Sequence, residues 1–99
     1  MQSVKTLNIA RLELIRRYGY LFWYVSEEEK TNLSTDAVVE TILNYGNLEA
    51  VRHLIRLIGF KNVADIFFRQ INHKRVNYFP QVANFFTLYF KRHAPGSTY

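Results

Sequence analysis

Apolar residues recur three and four positions apart through most of the chain, and asparagine or glycine separates one such run from the next. This pattern constrains the fold more than any other feature. A three-to-four repeat lays one apolar stripe along an α-helix, whereas a half-buried strand needs a repeat of two. Val4, Leu7, Leu14, Ile15 and Tyr18 predict a helix from about Ser3 to Tyr18, with Ser3 or Thr6 as its cap and Gly19 ending it in a left-handed conformation. Val38, Val39, Ile42 and Leu43 predict a second helix capped by Thr35 or Asp36 and stopped by Asn44-Tyr45-Gly46-Asn47, with Gly46 as a left-handed stop. Asn47 caps a third, which buries Leu48, Val51, Leu54, Ile55 and Ile58 and ends at Gly59. Asn62 caps a fourth, with Val63, Ile66, Phe67 and Ile71 inward. Pro80 opens the last helix, whose apolar face is Val82, Phe85, Phe86, Tyr89 and Phe90.

Two stretches stand apart. Tyr20 to Val25 is apolar on every side, so periodicity fits an extended segment and a buried helical turn equally, and Leu21-Phe22-Trp23 suits a core plug between helices. Glu27-Glu28-Glu29-Lys30 and the residues up to Ser34 read as a polar linker. The expectation is a single compact all-α domain of about four to five helices over residues 1–93, with a helix-turn-helix-like pair, followed by a flexible tail over residues 94–99. Sixteen aromatic residues give so short a chain the means to build a core, since each buried ring removes roughly 150–250 Å² from water.

The chemistry is mostly exclusion. Without cysteine there are no disulfides, thiolate nucleophiles or cysteine zinc sites. His53, His73 and His93 lack metal-motif spacing, and His53 follows Glu49 by four as a helix-surface pair. No glycine-rich loop or nucleophile elbow is present, and Asp65 reads as a residue favoured by a helix N-terminus rather than a general base. No cofactor, membrane span or signal peptide is implied, and the expectation is a non-enzymatic cytoplasmic protein.

Charge is the positive signal. Residues 1–50 carry five Lys/Arg against seven Asp/Glu, whereas residues 51–99 carry eight Lys/Arg against Asp65 alone. A cationic half attracts an acidic protein or a nucleic acid. Arg52 and Arg56 lie one helical turn apart, and Lys61, Lys74 and Arg75 are candidates for the same partner-binding side. In the alternative, Gly59 is the turn of a DNA-reading helix-turn-helix, and Asn62, Arg69 and Gln70 meet base edges or phosphates. Against that alternative, Ile55 stands where the helix pair needs a small residue, and Asp65 where it needs an apolar one.

Three blocks also resemble one family. Leu21-Phe22-Trp23, Val39 to Glu49 and Asn84 to Phe90 are similar, in order and spacing, to the LFWD, LEYGDLE and LNFWSLYF-type blocks of a family of short, uncharacterised bacterial proteins. The resemblance covers roughly residues 20–91. It departs at Tyr24, where an acid is usual, at Phe86, where Trp is usual, and at Asn47, which replaces Asp. Members are often encoded beside nucleotidyltransferase-like toxins of the AbiEii type. The resemblance therefore implies an antitoxin-like or accessory role, with that toxin as partner, and identifies no catalytic residue. The leading expectation is a non-catalytic module that binds a protein. A DNA-binding regulator is the alternative, and a purely structural oligomer is a third class.

Overall fold

The computed structural model describes residues 4–93, and every regular element among them is helical. In chain order these are α1 (Val4–Arg17), a 3-10 turn (Gly19–Phe22), α2 (Glu27–Lys30), α3 (Thr35–Tyr45), α4 (Leu48–Ile58), α5 (Phe60–Ile71) and α6 (Pro80–His93). Six helices exceed the expected four to five because the glutamate run, read as linker, closes one helical turn. Its three acids occupy the positive end of the turn, and Lys30 Nζ donates to Glu27 and to the Gly19 carbonyl. Of the ambiguous aromatic run, Tyr20 to Phe22 lie in the 3-10 turn and Trp23 and Tyr24 continue it as an irregular turn. The expected cap at Ser3 and the expected tail at 94–99 lie outside the described residues, and Thr6 lies inside α1 rather than before it.

The helix boundaries follow from side-chain chemistry. Ser34, one residue ahead of the expected cap, accepts a hydrogen bond from the Ala37 amide and starts α3. Asn47 does the same for α4, its Oδ1 lying 2.9 Å from the Ala50 amide nitrogen. Asn47→Ala should therefore cost about 1 kcal/mol, read as a lower urea midpoint with an unchanged slope. Asn62 does not cap α5. That helix begins two residues earlier, and Asn62 Nδ2 reaches back 2.9 Å to the Ile58 carbonyl, satisfying an orphan acceptor at the end of α4.

The glycines also differ from expectation. Neither Gly19 nor Gly46 is left-handed; Gly59 alone has positive φ among the described residues, at 99°. As the one residue between α4 and α5, it makes a junction shorter than the three-to-four-residue turn of a DNA-reading pair. Gly46 is extended, with φ −78° and ψ 157°, and is needed for a different reason. A Cβ there would lie 2.7 Å from the Ile42 carbonyl oxygen and 3.0 Å from the Ala50 Cβ.

α1 packs on α3 and α4, both of those pack on α5, and α5 carries α6. Leu14, Phe22, Ile42, Leu54, Ile58, Phe67 and Phe90 are wholly buried among them. Phe67 is the hub of the aromatic part, with ring centroids 5.1–6.2 Å from Phe68, Tyr78, Phe86 and Phe90. Three residues expected inside are outside. Leu48 is 65% exposed, Phe85 58% and Trp23 70%, although each belongs to an apolar run. Leu21 and Phe22 fill the expected core position beside Trp23. No helix among the described residues is long and apolar enough to cross a membrane.

Candidate functional site

The end of α1 and the outer face of α4 enclose an open depression lined by Arg17, Tyr18, Leu48, Glu49, Arg52, His53 and Arg56. The α4 positions follow from helical geometry: residues 49, 52, 53 and 56 share one face, three or four apart. Tyr18 is buried at the base, its Oη 3.0 Å from His53 Nδ1, and this contact pins α1 to α4. Arg17 pairs at 3.6 Å with Glu49 across the same gap. Glu49 and His53 keep their one-turn spacing on this face, and each also has a partner across the gap, Arg17 for Glu49 and Tyr18 for His53. Arg52 and Arg56 are exposed, and among the described residues neither makes an ion pair or a hydrogen bond. Three guanidinium groups therefore border one concavity, with Glu49 as the single carboxylate among the described residues that line it.

Of the five cations proposed for a partner, only Arg52 and Arg56 line this depression. Lys61 forms a 2.7 Å ion pair with Asp65 one turn along α5. Lys74 and Arg75 are exposed in the connector between α5 and α6. The three residues suited to base edges are all engaged within the fold. Asn62 holds the Ile58 carbonyl, and Arg69 pairs with Asp36 at 2.7 Å. Gln70 Nε2 donates to the Asp36 carbonyl at 2.9 Å, and its Oε1 accepts from the Tyr78 hydroxyl. Burial, reinforced by the negative charges of Glu40 and Asp36, pushes the Tyr78 phenol above its ordinary value and keeps it a protonated donor.

A second concavity adjoins the first, sharing Arg52 and Leu48. Leu48, Val51, Arg52 and Ile55 of α4 form one wall, and Val82, Phe85 and Tyr89 of α6 the other. Leu43 and Phe86, both buried, lie at its base, and Asn44, Gly46 and Asn47 close one end. Asn44 fixes this arrangement: its side chain donates to the Asn77 carbonyl and accepts from the Phe79 amide, tying the start of α6 to the end of α3. Beyond it runs a chain of exposed rings, Trp23 to Tyr45 to Phe79, with centroids 6.2 and 5.5 Å apart. Tyr24, which stands where the resembled family has an acid, spends its hydroxyl on buried Thr41.

Arg17, Tyr18 and the α6 wall escaped the sequence reading. Arg17 carries no local signal that it meets α4, since Glu49 lies thirty-two residues away. Phe85 and Leu48 did carry a signal, the apolar repeat, but the repeat does not distinguish a residue facing the core from one facing a groove. Comparison of the chain with protein-family models, curated proteins and solved structures returns no match.

Proposed function

We propose that this chain is a non-catalytic protein-binding module, antitoxin-like in role, which holds an acidic partner on the cationic face of α4. The observation that carries this reading is the pair Arg52 and Arg56, exposed one turn apart with no intramolecular partner among the described residues. Folding gains little from such charges, so their effect falls on encounter with an opposite charge. Leu48 and Arg52, shared with the adjoining apolar groove, put contact area beside the steering charge. A protein partner is favoured over duplex DNA because Asn62, Arg69 and Gln70 are occupied by Ile58, Asp36 and Tyr78. The family resemblance supplies the kind of partner, a nucleotidyltransferase-like toxin of the sort encoded beside members of that family.

The test is association with a nucleotidyltransferase-like protein encoded next to this chain, followed by stopped flow at low salt and by relief of growth arrest on co-expression. Arg52→Glu with Arg56→Glu should slow association by about tenfold or more. The thermal midpoint should move little, because the two exposed side chains are worth under about 0.5 kcal/mol each to folding. A folded double variant that associates at the native rate refutes the assignment. Sequence-selective binding of duplex DNA, with a log–log salt slope of about −0.9 per phosphate, transfers it to the nucleic-acid reading.

A further inference from the structure

We infer that the groove between α4 and α6 receives an acidic amphipathic helix of the partner protein. This rests on the partner-binding reading above and names the element that the partner contributes. α4 and α6 both pack on α5 and leave their facing sides as two walls. Leu48, Val51 and Ile55 repeat at three and four along one wall, and Val82, Phe85 and Tyr89 repeat likewise along the other. Each ladder spans seven residue steps, about 10 Å of helix axis at 1.5 Å per step. A helix that presents apolar anchors at i, i+4 and i+7 has the same length and periodicity, and two apolar ladders with a trough between them are the complement of its stripe. Leu48 and Phe85, both more than half exposed, leave a substantial apolar surface for such a stripe to cover.

Charge fixes the rest of the occupant's chemistry. The groove is lined by Arg52, and the concavity continuing from it along α6 past Phe85 and Tyr89 is lined by Arg92 and His93. Among the described residues no aspartate or glutamate lines either one. The flanks of the docked helix are therefore acidic. A second copy of this chain is the wrong partner, since each copy carries a net charge of +5. α1, another helix with exposed apolar residues, Ile9 and Leu12, also bears Lys5, Arg11, Arg16 and Arg17 against Glu13.

The probe is a fluorescein-labelled, hydrocarbon-stapled peptide of about fourteen residues, ~21 Å long. It carries leucine at i, i+4 and i+7, glutamate beside the stripe and glutamine elsewhere. Titrated against the full chain, it should bind with a Kd at or below about 100 µM and shift the amide resonances of Leu48, Val51, Ile55, Phe85 and Tyr89. The same peptide with lysine for glutamate should bind at least about tenfold more weakly. Leu48→Ser with Phe85→Ser, both at exposed positions that leave the core intact, should also weaken binding about tenfold or more. The proposal fails if a scrambled peptide binds as well, if the double serine variant binds unchanged, or if resonances elsewhere move instead. It also fails if sedimentation shows a dimer that the serine variant dissolves, because the groove then belongs to a second copy. The association assay uses a whole protein and the arginine variants, so loss of the peptide with retention of that partner removes the helix and leaves the cationic face standing.

Discussion

Phe67→Ala should lose its helical circular dichroism at a much lower temperature than the wild-type chain, by about 12 °C or more. The expectation follows from where the ring sits. Phe67 is wholly buried and its neighbours belong to three different segments: Phe68 on α5 itself, Tyr78 in the connector, and Phe86 and Phe90 on α6. Truncating such a ring costs about 3–5 kcal/mol, from lost transfer energy and from a cavity that rigid aromatic neighbours cannot close. A domain of this size shifts its midpoint by about 4–8 °C per kcal/mol. The contrast with Phe85→Ala makes the test sharp. Phe85 is 58% exposed, so the same truncation there should cost under about 1 kcal/mol. Equal losses at the two positions would mean that α6 is rotated from its described setting.

Gly46→Val should be the next most damaging change, at about 1–3 kcal/mol, and its cause is crowding rather than backbone conformation. The φ of −78° suits any residue. The obstacle is the Ile42 carbonyl oxygen, 2.7 Å from where a Cβ would be, which already accepts the Gly46 amide at 2.8 Å and so cannot swing away cheaply. The Ala50 Cβ at 3.0 Å blocks the other side. This origin predicts the behaviour of a third residue. Gly46→Asn should be nearly as unstable as Gly46→Val, because the tolerance of asparagine for left-handed backbone is irrelevant at an extended position. Urea denaturation of the three proteins checks it, and recovery of stability in the asparagine variant would show that strain in φ is the controlling factor after all.

The helices were legible because what makes them is local. Asn47 and the apolar repeats of α3 and α4 act within a few residues of themselves, so their spacing alone marks where a helix starts and which positions share a face. The same spacing misled where a residue works across the junction between two helices. Asn62 has the chemistry of an N-cap and stands near a helix start, yet it serves the preceding helix because Gly59 turns the chain back toward it. Gly46 is a stop in both readings, but only the approach of Ala50 shows that space, and not handedness, demands glycine.

For the candidate site, the sequence by itself determined the pairing of Arg52 with Arg56, since two residues four apart on a helix must lie together. It also determined that the C-terminal half is cationic. Tertiary structure decided the rest. It brought Arg17 to these two, sent Lys61 to Asp65 and Arg69 to Asp36, and left Leu48 and Phe85 facing each other across an open groove. The physical reason is that an apolar or charged side chain carries the same local signal whether a neighbouring helix covers it or not. Covering is settled by how α4 and α6 are both held against α5, through contacts between residues far apart in the chain.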